Sequence, residues 1–338
     1  MLRWYARWID SWERRLASKD TNRVVRPFEW GLPWIGGDPR GPDPATYVKE
    51  YVRKAIACSE DFFSFRPPND YRLQHDLLTF TSPLPSPHPE NNVVHADLFP
   101  SPGDGGRAVL VLPQWNAAAQ GHAALCRLLS RFGITALRMS MAYHDRRMPA
   151  ELQRADYHVS SNIGRTIHAS RQSVIDARAC IEWLARRGYR RLAILGTSLG
   201  SCIGFLAAAH EPRLRAAVFN HVSMYFGDVV WTGLSTRHVR LGFEGAITQD
   251  DLCEFWSVIS PATFLDRLVG RDLTSLLIWA PFDTTFLPQY SRQVVDGFRS
   301  RRLPHSEFRL PCAHYTTGQF PFSLLDALVV CRFLRKML

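Results

Sequence analysis

The sequence lacks several features that would each point to a particular class of protein. Its seven cysteines are odd in number and include no C-x-x-C pair, and most of them lie in apolar runs, which is typical of reduced, buried thiols. No uncharged apolar run approaches the roughly 18 residues of a membrane-spanning helix. The first thirty residues carry charges throughout and lack the apolar region of a signal peptide. We therefore expect a reducing compartment and a cytoplasmic location.

Positive charge is plentiful but not concentrated. The 338 residues carry a formal net charge of +10, spread along the chain in pairs such as Arg14-Arg15, Arg186-Arg187 and Arg301-Arg302. A nucleic-acid surface needs clustered basic residues with interleaved aromatics, so we expect no nucleic-acid partner. Attraction to an anionic surface or an acidic substrate remains compatible with this composition.

The first residues predict an amphipathic helix. Trp4, Trp8 and Trp12 recur every four residues and share one helical face, with basic side chains opposite. The helix belongs to a predicted N-terminal extension, residues 1–74, which continues through a Pro/Gly-rich connector into a second helix. Two interpretations fit: the aromatic face packs on the body of the protein, which we favour, or residues 1–20 make peripheral contact with a membrane.

Residues 75–338 predict an α/β domain. Apolar strand-like runs alternate with helical patterns from residue 108 onward, which indicates a mostly parallel central sheet with helices on both faces. Catalytic groups then belong at the carboxyl ends of the strands. The predicted strands span 77–81, 93–98, 108–112, 134–139, 192–195, 216–219, 276–280 and 307–310, and the main helices span 121–132, 170–187, 290–298 and 321–338.

One stretch predicts a nucleophilic serine. An apolar strand enters Gly196-Thr197-Ser198-Leu199-Gly200, and a helix of small residues leaves it. Glycines on either side of the serine allow a sharp turn that neighbouring chain can approach closely. The serine would then project from the sheet at a helix N-terminus, where developing negative charge is stabilised.

The strand-end rule selects a base and a carboxylate for this serine. His314 follows the last predicted strand and Asp283 follows the strand before it, so the chain order is Ser198, Asp283, His314. His221 precedes Asp283 and is interpreted as pocket lining. The other carboxylates near strands lie inside predicted helices or at the wrong strand end: Asp266, Asp272 and Asp326.

Acyl transfer also requires donors for the oxyanion. The backbone N–H of Leu199, directly after the serine, is one candidate. The second should come from the loop after the 108–112 strand, where we favour the amide of Trp115, with Gln114 as the alternative.

These motifs resemble those of the α/β-hydrolase-fold serine hydrolases, in consistent order over about residues 75–338. The resemblance implies an eight-stranded, mostly parallel sheet and a two-step esterase mechanism that uses no metal and no cofactor. The common His-Gly after the oxyanion strand is replaced by Pro113-Gln114. Three further segments are similar to a little-characterised bacterial subgroup, itself distantly similar to eukaryotic hydrolases linked to phospholipid deacylation: 112–116, 164–168 and 312–318.

Two insertions are predicted to cover the serine as lid segments. They lie near 141–169 and 220–258, and their aromatic content predicts a pocket for apolar chains. Substrate contacts are predicted for His221 and Trp231. Arg146, Arg147 and His158 either meet an anionic head group or form ion-paired lid surface.

The function predicted from these features is hydrolysis of a carboxylic ester, with a small molecule or a lipid as the substrate. Two alternatives stay open. One is acyl transfer to an alcohol on the same fold, and the other is an inactive hydrolase fold that serves as a binding or membrane-docking module. No pattern in the sequence sets the oligomeric state.

Overall fold

A computed structural model describes residues 2–41 and 43–338, so Met1 of the predicted helix and Pro42 of the predicted connector lie outside the described residues. The described residues build one nine-stranded sheet in the order β1-β2-β3-β5-β4-β6-β7-β8-β9. The strands are β1 (Arg72–Gln74), β2 (Leu77–Thr81), β3 (Val93–Phe99), β4 (Arg107–Leu112), β5 (Thr135–Met139), β6 (Arg191–Thr197), β7 (Leu214–Asn220), β8 (Thr274–Trp279) and β9 (His305–Arg309).

The sheet is antiparallel at one edge and parallel elsewhere. β1 to β3 form an antiparallel meander, and β3 pairs antiparallel with β5. From β5 through β4 to β9 every pairing is parallel, so the carboxyl ends of these strands share one edge of the sheet. The ninth strand, beyond the eight that the resemblance implied, is β1. With three residues and no buried side chain, it shows no apolar run that a sequence pattern could reveal.

Helices cover both faces of the sheet. The α-helices are α1 (Leu2–Ala17), α2 (Pro44–Ala57), α3 (Ser59–Phe62), α4 (Ala123–Arg131), α5 (Ile163–Arg186), α6 (Leu199–His210), α7 (Phe226–Thr232), α8 (Arg237–Leu241), α9 (Gln249–Phe255), α10 (Pro288–Ser300) and α11 (Phe322–Met337). Alternate residues of β4 point into two separate cores: Leu110 and Leu112 into one with α5, α6 and α10, Val109 and Val111 into the other with α1, α4 and α11.

Helix α5 begins seven residues before the predicted start at Ser170. The Asn162 side chain caps the helix by accepting a hydrogen bond from the N–H of Arg165 at 2.9 Å. Gly164 packs against the backbone of Gly31, where a Cβ atom would collide. The first lid segment is therefore shorter than predicted, because its last seven residues belong to a core helix.

Helix α1 lies across the carboxyl ends of β8 and β9. Ile9 is fully buried, and the Tyr5 hydroxyl donates to the carbonyl oxygen of Pro311. Trp4 and Trp8 remain 71% and 42% exposed. The helix thus packs on the body of the protein through Tyr5, Ile9 and Glu13, whereas two of the three tryptophans that were expected to pack there face solvent. Across residues 2–41 and 43–338, no helix combines the length and the apolarity that crossing a bilayer requires.

Candidate active site

Ser198 occupies a strained turn between β6 and α6. Its φ of 55° and ψ of −119° lie outside the regions that side-chain-bearing residues ordinarily adopt. The flanking glycines make the turn possible: a Cβ on Gly196 would collide with the carbonyl of Gly200, and one on Gly200 with the carbonyls of Leu112 and Pro113. This arrangement projects the hydroxyl beyond the sheet edge into the cavity, as a nucleophile requires.

Three side chains from three strand ends meet at this point. The Ser198 Oγ lies 3.1 Å from Nε2 of His314, and Nδ1 of His314 lies 3.1 Å from Oδ2 of Asp283. The other oxygen of Asp283 accepts the backbone N–H groups of Thr285 and Phe286 at 2.7 and 2.8 Å. The His314 ring stacks on Phe286, with centroids 5.4 Å apart. Both the carboxylate and the imidazole are therefore fixed in orientation.

The electrostatics of the site suit a histidine base. Burial works to lower the pKa of His314, but the charge and hydrogen bond of Asp283 together with the charge of Glu13 outweigh burial, and the pKa is raised above its ordinary value. Burial likewise opposes ionisation of Asp283, yet His314 and His221 hold the pKa of this carboxyl below its usual range. Asp283 is thus a fixed anion behind the imidazole, and it stabilises the imidazolium that forms when His314 takes a proton.

His221 is a second histidine partner of the same carboxylate. Its Nδ1 lies 2.7 Å from Oδ2 of Asp283, and its Nε2 lies 2.9 Å from the Thr317 hydroxyl. Burial lowers the pKa of His221, which favours its neutral form. Ligand atoms of His221, Asp283 and His314 lie within 4.8 Å of one another, close enough to hold a metal ion. Both ring nitrogens of His314 and Nε2 of His221 have hydrogen-bond partners, which are Ser198, Asp283 and Thr317.

The predicted oxyanion donors line the same cavity as the serine. Leu199 is the first residue of α6, so its N–H has no acceptor within the helix. Gln114 and Trp115 line the same cavity as Ser198. The Trp115 indole donates to the carbonyl of Ala155 at 3.0 Å. Asn116 accepts the N–H of Ala155 at 2.7 Å. These contacts hold the loop after β4 in place.

A cavity of about 930 Å³ opens onto Ser198. Both predicted lid segments contribute to it, through Val159 and Arg154 from the first and Val229 and Val230 from the second. Much of the remaining wall is apolar and comes from α4, α11 and Phe286. The size and lining suit an apolar acyl chain.

Four of the predicted substrate residues lie elsewhere, because each has a structural partner away from the cavity. Arg147 is fully buried and pairs with Asp176 at 2.8 Å. Arg146 pairs with Asp97 at 2.9 Å. His158 is fully buried, with Nδ1 3.0 Å from the carbonyl of Ala142, and Trp231 stacks on Phe243. None of these four lines the cavity, and for Arg146 and Arg147 the structure fits the alternative of ion pairing, whereas His221 lines the cavity as predicted.

Arginines do line the cavity, but different ones. Arg127 and Arg131 project from α4, and Arg154 comes from the first lid segment. Arg154 lies over the Trp115 ring, with its guanidinium carbon 5.2 Å from the ring centroid. Arg154 also lies 3.7 Å from a carboxylate oxygen of Asp156, whereas Arg127 and Arg131 have no ion-pair partner among the described residues.

Glu13 of α1 is a further residue of the site that the sequence analysis missed. Its side chain is fully buried. It accepts the N–H groups of Tyr315 and Thr316 at 2.9 and 3.1 Å and the Thr284 hydroxyl at 3.0 Å. It thereby ties together the loops that carry Asp283 and His314. A signal existed in the sequence: Glu13 follows Ile9 by one turn, so it is a charge on the buried side of the helix.

Comparison with known proteins identifies the fold. No protein-family model and no curated protein matches the sequence. Among solved structures, acetyl xylan esterase 1 from a Thermoanaerobacterium species is similar at 13% identity with a TM-score of 0.58, over 90% of this chain and 98% of that one. A carboxyl esterase from Bacillus coagulans is similar at 11% identity and a TM-score of 0.55, over 77% of this chain and 98% of that one.

A peptidase is similar over part of its length. The acylaminoacyl peptidase of Pyrococcus horikoshii matches at 11% identity with a TM-score of 0.58, over 73% of this chain. The match spans only 40% of that peptidase. At these identities the likeness concerns the fold, and it confirms the predicted α/β-hydrolase fold.

Proposed function

From the α/β-hydrolase fold and the site at its strand ends, we propose that this protein is a serine hydrolase that cleaves a carboxylic ester through an acyl-enzyme. The observation that carries the proposal is the continuous contact from Ser198 Oγ through His314 to Asp283, with 3.1 Å at each step. The strained backbone of Ser198 supports it, since such strain persists where function requires it.

The residues divide the reaction between them as follows. Ser198 Oγ attacks the ester carbonyl carbon while its proton moves to Nε2 of His314, and Asp283 stabilises the imidazolium. The amides of Leu199 and Trp115 donate to the oxyanion. Collapse of the tetrahedral intermediate breaks the bond to the alcohol oxygen, which takes the proton from His314. Water then attacks the acyl-enzyme by the same steps in reverse, releasing the acid and restoring Ser198.

An ester is favoured over an amide by the extent of the similarities. The acetyl xylan esterase is matched over 98% of its length, whereas the peptidase is matched over 40%. The apolar walls around Ser198 favour an acyl chain, and the arginines at the cavity favour a polar or anionic alcohol portion, as in a lipid ester. We propose a small-molecule or lipid ester as the substrate.

Fluorophosphonate labelling tests the activated serine. We expect the unaltered protein to be labelled and Ser198→Ala not to be. Ser300→Ala, which removes an exposed hydroxyl at the end of α10, is the matched control and should be labelled normally. Turnover of an ester should fall by roughly 10⁶ in Ser198→Ala. Equal labelling of Ser198→Ala would contradict the proposal, and no labelling of any form, even with lipid present, would favour an inactive binding module.

Substrate comparison tests the reaction class. Activated esters and anilides of the same acyl group, measured over a series of chain lengths, should show faster cleavage of the esters. Product analysis in the presence of an added alcohol separates hydrolysis from acyl transfer. Free acid as the main product supports the proposal, whereas acyl ester in excess of acid would identify a transferase.

A further inference from the structure

Exposed arginines of α4 line the cavity where it meets the surface, which we call the mouth of the cavity. Arg127 and Arg131 lie one turn apart on α4, both are exposed, and both line the cavity. The Arg127 guanidinium lies over the Phe99 ring, at 5.9 Å from its centroid. Among the residues that the structure describes, neither arginine has a carboxylate at ion-pairing distance. Two cations at the mouth therefore lack an internal counter-charge.

Helix α11, which contacts α4 and also lines the cavity, carries exposed apolar side chains. Leu324, Leu325 and Leu328 of α11 are 50%, 38% and 38% exposed, and Phe320 in the turn before it is 76% exposed. Leu324 itself lines the cavity. Four large apolar side chains within nine residues of sequence form a patch of the kind that marks an interaction surface.

Aromatic contacts extend this patch to α1. The Phe322 ring at the start of α11 lies 6.2 Å from that of Trp12, which lies 5.2 Å from that of Trp8. Trp8 and Trp4 then reach solvent. Half of the large apolar side chains that the described residues leave exposed belong to α1, α11 and the turn before α11.

We propose that this face docks on an anionic lipid bilayer. We call it the mouth face and define it as Trp4, Trp8, Arg127, Arg131 and the exposed side chains of 320–328. Tryptophan is suited to the bilayer interface, and leucine to the acyl region beneath it. The two arginines and the net charge of +10 complement anionic head groups. A second copy of the chain would present the same unpaired arginines and thus no counter-charge.

Docking on a bilayer would place the cavity opening against the lipid, so that a lipid ester could reach Ser198 without crossing water. The proposal goes beyond the proposed function, because adsorption to the surface needs no activated serine. It can therefore be tested by binding alone.

Vesicle sedimentation tests the docking surface. The full chain is mixed with vesicles of equal parts phosphatidylcholine and phosphatidylglycerol, and separately with phosphatidylcholine vesicles. We expect binding to the mixed vesicles that weakens as salt rises. Arg127→Gln with Arg131→Gln should lower the affinity roughly 30-fold. Trp4→Ser with Leu325→Ser and Leu328→Ser should lower it roughly tenfold or more.

Matched controls distinguish binding through the mouth face from nonspecific adsorption to lipid. Arg53→Gln with Arg66→Gln removes two exposed arginines from elements that do not line the cavity, and Leu241→Ser with Val269→Ser removes two exposed apolar side chains elsewhere. Both controls should bind as the unaltered chain does. Hydrolysis of a soluble short-chain ester by the Trp4/Leu325/Leu328 variant should be unchanged, because none of these side chains lines the cavity.

Three results would overturn the proposal. The first is no binding to mixed vesicles by the unaltered chain, and the second is equal loss in the control and mouth-face variants. The third is a concentration-dependent dimer in sedimentation velocity that the apolar variant abolishes while vesicle binding is absent, which would assign the face to a second copy. Failure of serine labelling leaves each of these readouts intact.

Discussion

At the scale of single residues, the carboxylate of Asp283 organises two histidines with opposite electrostatic outcomes. Oδ2 lies 3.1 Å from Nδ1 of His314 and 2.7 Å from Nδ1 of His221. Burial dominates at His221 and lowers its pKa, whereas at His314 the combined effect of Asp283 and Glu13 exceeds that of burial and raises the pKa. Of the two histidines, His314 contacts the serine and is suited to act as the base. His221 contacts Asp283 and helps to hold its carboxylate in position.

Replacement of Asp283 tests this assignment through the pH profile. His314 acts as a base only when neutral, so kcat/KM should rise with pH through the raised pKa of His314. Asp283→Asn removes the attraction that raises this pKa, so the midpoint should move to lower pH while kcat falls by about 10⁴. The measurement is kcat/KM of a soluble ester between about pH 5 and 9. The control is Asp272→Asn, at an exposed carboxylate paired with Arg215, which should alter neither the midpoint nor kcat. An unmoved midpoint in Asp283→Asn would contradict the role of Asp283.

Glu13 gives a second test at this scale. Burial raises the pKa of Glu13, and the negative charge of Glu13 in turn raises the pKa of His314. Glu13→Gln should therefore shift the kcat/KM midpoint to lower pH and reduce kcat about 10- to 100-fold by loosening the His314 loop. KM should change little, since Glu13 does not line the cavity. Asp10→Asn on the same helix is the control, and a loss of stability without any pH shift would show that Glu13 is structural alone.

At the scale of elements, the turn between β6 and α6 packs directly against the end of β4, which leaves no room for a side chain at one of its glycines. Gly200 packs against the carbonyls of Leu112 and Pro113, whereas a methyl group on Gly204, one turn later, would have its nearest neighbouring atoms 3.7 Å away. The two glycines occupy the same buried helix yet face different amounts of space. The first is required by sterics and the second is not.

Alanine substitutions at these two glycines should change the free energy of unfolding differently. Gly200→Ala should destabilise the protein by roughly 1–3 kcal/mol or more and abolish serine labelling, because its methyl group displaces the strand end. Gly204→Ala should be neutral or stabilise by about 0.5–1 kcal/mol, since alanine restricts the unfolded chain and its methyl group fits. Denaturant unfolding of both variants provides the measurement. A comparable loss in both would mean that the helix tolerates no added atom anywhere.

The elements also show what the sequence could and could not predict. Strands and helices of the central sheet follow from apolar runs, and Ser198, Asp283 and His314 could be proposed because each lies in the segment that follows the carboxyl end of a strand. Arg147 could not be assigned correctly, because its buried partner Asp176 lies 29 positions away on α5. The start of α5 depends on contacts with residue 31, which no local pattern reveals.

At the scale of the whole molecule, the predicted N-terminal extension is built into the site. Ile9 of α1 belongs to the same core as α4 and α11, and Glu13 bonds to the loop of His314. The helix therefore completes the layer on this side of the sheet. In this respect residues 2–17 act as part of the body of the protein.

Removal of residues 1–17 should lower both the stability and the activity of the protein, by more than the loss of a helix attached only to the surface would. The truncated chain would expose the core around Ile9 and leave the amides of Tyr315 and Thr316 without their acceptor, each buried amide costing about 1–3 kcal/mol. We expect a lower melting temperature and loss of fluorophosphonate labelling. Addition of a synthetic peptide of residues 1–17 should restore labelling in part. A truncated chain that unfolds and labels as the full chain does would refute this view of α1.

The bond from Glu13 to Tyr315 joins positions 302 residues apart. Ribosomes add about 5–20 residues per second, so α1 emerges roughly 15–60 s before its partner segment has been made. Throughout that interval the contacts of Glu13 with the His314 loop are missing, so this part of the buried side of α1 waits for its native partner. The catalytic geometry is consequently a late event of biosynthesis: a chain stalled before residue 315 would hold Ser198 and Asp283 and still lack a working centre.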